Sequence, residues 1–257
     1  MEFSKLIVEQ EEGFIIVFIN NPPANALSTA VLLELEQLLD KCVNDDNVRA
    51  IVITGSGKKV FSAGADINEF EDIRSGKIPT TIGQNLFNKI ENYPKPIIAA
   101  IQGSAFGGGN ELIMSCHLRI LSSNASLSFP EVKLGITTGW GGTQRLPRLI
   151  GKTRALEMLL TGDPISPENA LNYGLVNKVV EAEKVLEEAK TLAAKLAKGA
   201  PIAIREFLRG VTQGLNTSFE QGLSIEREGS AIVFASEDAK EGVAAFFEKR
   251  SPNFTGK

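Results

Sequence analysis

The 257-residue sequence predicts an α/β fold with a helical C-terminal part, and three observations carry that expectation. Two short, nearly all-apolar runs, "RAIVIT" at 49–54 and "IIAAI" at 97–101, have the composition of strands buried on both faces of a sheet. Each opens into a small-residue loop and then an amphipathic segment, once over 51–70 and again over 97–114, so a strand–loop–helix unit recurs. From Thr143 onward the pattern turns mostly helical. The expected division is an α/β core of residues 1–200 and a helical region of residues 201–257.

In chain order, the β-rich runs 5–8 and 14–19 are joined across "EQEEG" as a hairpin. "NNPPANAL" at 20–27 breaks regular structure with its prolines and asparagines. Ser28 caps a helix in which Val31, Leu32, Leu35, Leu38, Leu39 and Cys42 recur at three-and-four spacing, and "NDDN" ends it. After the first buried strand, "GSGKKVFSAGAD" leads into a helix over 67–74, and a second helix over 81–93 stops at Pro94 and Pro96. Short strands over 118–121 and 127–129 close the core. A helix follows over 153–160, and Ser166 with Pro167 at the next position starts another. A last strand is expected within 175–180. The segment 183–198 is a helix with Val185, Leu186, Ala189, Leu192, Ala193 and Leu196 on one face, and 202–212, 218–235 and 238–247 are helical.

Composition excludes several function classes. A hydrophobic share of 43% and a charged share of 23% are those of a globular protein with ample chain for a core. The formal net charge of −4 and pI near 5.3 argue against nucleic acid or an anionic membrane as partner. The N-terminal "MEFSKLIVEQEEGF" lacks the basic-then-apolar order of a signal peptide, and no apolar run reaches the ~18 residues of a membrane span. Cys42 and Cys116 sit in apolar helical patterns and read as reduced core residues, so a cytoplasmic protein is expected. A single histidine, His117, excludes most two-histidine metal sites, and no metal is expected; it reads as an ordinary residue at a helix end. Dinucleotide, Walker A and nucleophile-elbow motifs are missing.

The stretch 105–145 carries the chemistry. Gly107, Gly108 and Gly109 run into the segment bearing Glu111; Glu131 follows Pro130; Gly139, Gly141 and Gly142 come next. In the earlier unit Ala63, Gly64 and Ala65 occupy the corresponding place. Helix starts expose orphan N–H donors, and small residues let a ligand approach them. If the two strands are neighbours, two N–H groups aim at one oxygen, which suits an ester or thioester carbonyl on its way to an enolate. Two glutamates would then move protons at the adjacent carbons. Singly, each feature has a plainer explanation: a tight turn, a helix-dipole partner in Glu111, a turn cap in Glu131. Their conjunction favours a site.

With "FSAGADINEF" at 61–70, "IQGSAFGGGNEL" at 101–112, "FPEVKLGITTGWGGTQRLPRLIG" at 129–151 and "LTGDPISPENALNYGLVNKVV" at 160–180, the chain resembles the enoyl-CoA hydratase/isomerase (crotonase) superfamily over essentially its whole length. Within it the short-chain enoyl-CoA hydratases are nearest. The resemblance implies a ββα spiral core and a helical C-terminal trimerisation region. It implies that Ala65 and Gly108 supply the oxyanion-hole N–H groups, that Glu111 and Glu131 are the catalytic acids, and that Gly139 places the water. It assigns Ala63, Ala65, Asp66, Ile67, Asn68 and Gly108 to substrate and CoA binding, with Lys249 reaching a neighbouring subunit's CoA. Phe106 and Trp140 are large enough to line or buttress the acyl pocket, which favours short or medium chains. Thr138 departs from the proline of many relatives. The implied activity is syn addition of water across a trans-2-enoyl-CoA to give a 3-hydroxyacyl-CoA, in fatty-acid β-oxidation. It needs no cofactor beyond the CoA of the substrate, and the implied assembly is a homo-hexamer of two trimers. The alternatives are a double-bond isomerase of the same fold, which often uses one acid, and a non-catalytic CoA- or RNA-binding relative. The presence of both glutamates favours the hydratase.

Overall fold

The computed structural model describes residues 3–257. The first apolar runs form an antiparallel hairpin, β1 (Leu6–Glu11) and β2 (Phe14–Ile19). α1 (Thr29–Cys42) starts where Ser28 Oγ accepts from the Val31 N–H, and it buries the six residues whose spacing predicts it. Then come β3 (Ala50–Gly55), β4 (Val60–Ser62), a 3-10 turn (Ile67–Glu69) leading into α2 (Phe70–Arg74), and α3 (Ile82–Glu91). The next unit is β5 (Ile97–Ile101), β6 (Ser104–Phe106) and α4 (Gly108–Ser115). β7 (Leu118–Ser122), β8 (Leu127–Ser128), a 3-10 turn (Pro130–Leu134) and α5 (Gly142–Ile150) follow. α6 (Lys152–Thr161), α7 (Pro167–Asn172), β9 (Lys178–Val180) and α8 (Val185–Ala197) complete the core. α9 (Pro201–Gly214), α10 (Phe219–Phe234) and α11 (Glu237–Glu248) form the C-terminal part.

Among the described residues the strands form a six-stranded sheet in the order β1-β2-β3-β5-β7-β9, parallel from β2 onward, and a three-stranded parallel sheet in the order β4-β6-β8. Each turn of chain therefore adds one strand to the large sheet, one to the small sheet and a helical segment. This is the ββα spiral that the resemblance implies. The short strands β4 and β6 lie where the sequence reads only loop. Three residues are too few for a period-2 pattern, and "VFS" and "SAF" carry no run of β-formers; parallel pairing with neighbours makes them strands. The expected helix over 67–74 is divided in two, and the strand expected within 175–180 begins only at Lys178.

The all-apolar strands are explained by burial on both faces. Ile15, Val17, Ile51 and Ile53 point into the main core with α1, α3 and α4, whereas Phe14, Ile16, Ala50 and Val52 point the other way, onto Val185, Ala189 and Ala193 of α8. Each such side chain contributes roughly 1.5–3 kcal/mol by leaving water. His117, directly beyond α4, has a structural place: its N–H donates to the Ile97 carbonyl and its Nδ1 accepts from the Ile97 N–H, fixing the start of β5. Cys42 and Cys116 are free thiols, both buried. No helix among the described residues is long and apolar enough to cross a membrane.

The irregular segment 20–27 does more than break regular structure. Ala63 N–H donates to the Ala24 carbonyl and Leu27 N–H to the Gly64 carbonyl, so this segment holds the loop that carries Ala65. Asn25 organises it. Buried and left-handed at φ 52°, it donates through Nδ2 to the carbonyls of Ser56 and Val60 at 2.9 and 3.0 Å. Asparagine tolerates that backbone, and its amide satisfies two otherwise stranded carbonyls. Asn25→Ala is expected to cost about 2–3 kcal/mol in urea unfolding, from both terms. Asn25→Gly, which keeps the φ but loses the bonds, is expected to cost less.

Candidate active site

The small sheet builds the site. Because β4, β6 and β8 run parallel, their C-terminal ends emerge on one edge, and the loops leaving them converge. The loop after β4 carries Ala63, Gly64 and Ala65; the one after β6 carries Gly107 and opens α4; the one after β8 carries Pro130 and Glu131. All of these, with Gly108, Glu111, Gly139 and Trp140, line one cavity of about 460 Å³.

The main chains of the first two loops touch. A Cβ on Gly64 would fall 3.1 Å from the Gly108 nitrogen, and one on Gly108 would fall 3.2 Å from the Ala65 nitrogen. Gly107 turns the chain into α4 at φ 51° and ψ −120°, a conformation closed to residues with a Cβ. The Ala65 and Gly108 N–H groups donate to no other protein group among the described residues, and neither does that of Gly139. Two adjacent free donors at a helix start can hold an oxygen bearing negative charge.

Glu111, on α4, is 2% exposed. Its Oε1 accepts from the main-chain N–H groups of Trp140 at 2.8 Å and Gly142 at 2.7 Å. Burial pushes its pKa up to about 7, with the two amides pulling it back and the charge of Glu131 adding to the rise. Glu131, in the 3-10 turn after β8, is also raised by burial. Its carboxylate lies over Gly107, where a Cβ would sit 2.8 Å from Oε1, and its Oε2 is buried without a protein partner. Two carboxyls whose burial favours the neutral form, lining one largely apolar cavity, have the electrostatics a proton-transfer pair requires.

The Trp140 indole packs edge-on to Phe87 of α3, with ring centroids 5.5 Å apart, and fills the space that side chains at Gly83 and Gly108 would need. It is a fixed wall of the cavity. Phe106 does not line it. In β6 the buried Ala105 separates the half-buried Ser104 and Phe106, so Phe106 points to the opposite face from Ala105. Of the segment expected to lie along CoA, Ala63, Ala65 and the exposed Ile67 line the cavity. Asp66 and Asn68 do not; Asp66 Oδ1 instead accepts from the Asn68 N–H and Nδ2, capping the turn. Lys249 lies at the exposed end of α11 and does not line the cavity. Thr138 is buried behind the loop, against Gly142. Sequence reasoning missed Phe70, Ile73, Ile82 and Leu134 in the lining, and it missed Arg145, whose partner Glu91 is 54 positions away. No group of histidine, cysteine, aspartate or glutamate among the described residues could hold a metal ion.

With this geometry in place, the comparisons with known proteins are specific. The sequence model of the enoyl-CoA hydratase/isomerase family matches residues 9–257. The chain is 47% identical to a probable enoyl-CoA hydratase of Bacillus subtilis over 94% of this chain and 95% of that one. It is 42% identical to a crotonyl-CoA hydratase of Syntrophomonas wolfei over the full length of both. Among solved structures, an enoyl-CoA hydratase from Bacillus anthracis superposes with a TM-score of 0.94 at 38% identity, covering 99% of this chain and 100% of that one.

The raised pKa of Glu111 has a stability consequence. The folded value lies above the ordinary 4.5, so the stabilising effect of the neutral form is full below that value and is lost as pH rises through about 7. Above that window the ionised group costs the fold roughly 3 kcal/mol. Glu111→Gln is therefore expected to melt higher than the parent at about pH 8, with the gain shrinking toward about pH 5. Thermal unfolding across that range checks it.

Proposed function

The chain belongs to the enoyl-CoA hydratase/isomerase family, and from that premise we infer that it is an enoyl-CoA hydratase working through the acid pair Glu111 and Glu131. The observation that carries the assignment of roles is the meeting of two buried carboxyls and two unpartnered N–H groups in one cavity. The thioester oxygen of a trans-2-enoyl-CoA rests between the N–H groups of Ala65 and Gly108, which draws electron density from the conjugated double bond and makes C3 electrophilic. Glu111, ionised and aimed by its two amides, takes a proton from a water placed by Gly139. The water's oxygen bonds to C3, and negative charge moves through C2 to the thioester oxygen. Glu131, protonated, then gives its proton to C2 as the enolate collapses. Both new bonds form on the face shared by the acids, so addition is syn. The pair returns to its starting state by proton exchange, and the drawn reaction consumes no cofactor; CoA leaves as part of the 3-hydroxyacyl product. The reading fits a place in fatty-acid metabolism, as β-oxidation requires this hydration.

Ala63 and Ile67, with the main chain at Asp66 and Asn68, are assigned to the CoA side of the cavity, and Lys249 to a neighbouring subunit's CoA. Trp140 stops the acyl end and favours short or medium chains. The helical region 201–257 is assigned to oligomerisation, as two stacked trimers. Supporting this, α9 buries no residue, and Phe207, Phe219, Phe246 and Phe247 are each more than 70% exposed. The acidic charge balance fits a cytoplasmic enzyme with neither nucleic acid nor membrane as partner.

Glu111→Gln and Glu131→Gln are each expected to lose at least about 10²-fold in hydration of trans-2-butenoyl-CoA, since a positioned acid–base group contributes ~10²–10⁴. Both should still bind the CoA ester, as read by calorimetry with a saturated acyl-CoA. Near-normal turnover in both variants would remove the two-acid mechanism; brisk 2,3-to-3,4 double-bond migration without hydration would favour the isomerase. For the assembly, replacing Phe246 and Phe247 by Glu is expected to lower the sedimenting mass relative to the parent, and an unchanged mass would count against an interface there.

A further inference from the structure

The mechanism uses Glu111 but leaves unexplained what keeps its two amide donors in place. The loop that bears them, 139–142, has no strand on either side to hold it. A buried cation lies directly behind it. The Arg145 side chain, 7% exposed, donates from Nε and Nη2 to Glu91 Oε2 at 3.0 and 2.9 Å, and from Nη2 to Asn88 Oδ1 at 2.7 Å. Its Nη1 donates to the Trp140 carbonyl at 2.8 Å. Arg145 Nη1 occupies the space a Cβ at Gly141 would need, so the tip of the guanidinium lies against the loop's main chain. Residue 140 is thus held from both ends, its N–H on Glu111 and its C=O on Arg145.

We propose that Arg145 is a positioning residue for Glu111: anchored on Glu91 and Asn88 of α3, it fixes the Trp140 peptide so that the N–H groups of Trp140 and Gly142 stay on one carboxylate oxygen. This goes beyond the hydratase assignment but rests on it for its kinetic consequence. A rigid planar fork suits the task, because it spans two elements with directed bonds where a lysine would offer one point charge. His117 Nδ1 accepts from Ile97, so Nε2 carries the hydrogen and faces the Glu91 carbonyl at 3.2 Å, and burial lowers the imidazole to about 4. The Cys116 thiol near Arg145 is pushed up to about 12 by burial and stays neutral. Arg119 bears on Glu91 from β7, and across the cavity the charge bearing on Glu111 is that of Glu131. Loosening the loop withdraws amides and cation from Glu111 together, and both changes make it harder to ionise.

The test measures hydration of trans-2-butenoyl-CoA from about pH 5 to pH 9 by the parent, Arg145→Met, Arg145→Lys and Glu91→Gln, since the acid limb of such a profile reports the base. Arg145→Met is expected to lose about 10²-fold in kcat with little change in KM, the cost of a small misplacement of a reacting group. Its acid limb should move to higher pH. Arg145→Lys and Glu91→Gln should move it the same way by less. A kcat loss equal at every pH, with the limb in place, would show a merely structural role and overturn the proposal, as would parent-like kinetics. If Arg145→Met gives no cooperative melt, the other two variants are judged by the same criterion. Carbon-13 NMR titration of the Glu111 carboxyl in the parent and Arg145→Lys decides the question without turnover. A raised midpoint supports the proposal and an unchanged one overturns it, whereas a parent that hydrates no enoyl-CoA counts against the hydratase reading alone.

Discussion

A carboxyl group that is 2% exposed and, in the proposed reaction, must still lose its proton is the constraint around which the site is arranged. Burial alone would hold Glu111 neutral; direct ion pairing would hold it charged and unreactive. Two main-chain N–H groups on one oxygen give an intermediate answer, strong enough to let the anion form and fixed enough to aim it. That answer requires the peptides at 140 and 142 to face α4, which in turn needs bare main chain at Gly141 and Gly142. It also needs the Trp140 indole lodged between α3 and α4 as a spacer.

The spiral distributes the parts. Each turn contributes to the large sheet a strand whose two faces pack into the two hydrophobic clusters, one on either side of the sheet. It contributes to the small sheet a strand of two or three residues, which adds little to stability but fixes where a loop begins. The division separates two demands that conflict in one sheet. Strong, long strands hold the fold, and short ones leave their C-terminal loops free to carry glycine, alanine and acid. The segment 24–27, paired to 63–65 by main-chain bonds, serves the first of these loops as the neighbouring short strands serve the others.

What the sequence made legible follows from this division. The buried strands, α1 with its Ser28 cap and α7 with Ser166 before Pro167 were readable because each depends on local pattern. Glu111, Glu131, Ala65, Gly108 and Gly139 were readable from the glycine clusters and from family resemblance, and they lie together in the cavity. Of the small sheet only β8 was readable, within 127–129; β4 and β6 were not, because they are shorter than the period that reveals a strand. Phe106 is not among the residues that line the cavity, and without β6 the sequence offers no alternation to tell which face it takes. Arg145 and Glu91 meet only through folding, and a charge inside a helix reads as solvated surface until a partner is found. His117, an ordinary residue in the sequence, proves to be a two-sided tie between β5 and the end of α3.

The N–H groups of Ala65 and Gly108 belong to the main chain, and the peptide link is the same whatever side chain is attached. If the chemistry runs as proposed, a survey that exchanges side chains one at a time will register Glu111 and Glu131 sharply and pass over these donors, reporting at Gly108 only the crowding against Trp140. The inventory of important positions obtained that way will look like that of a two-residue site. In the proposed mechanism the electrophilic half of the chemistry is written in backbone geometry, and only a change to the peptide itself, such as an ester in place of the amide at either position, makes it visible.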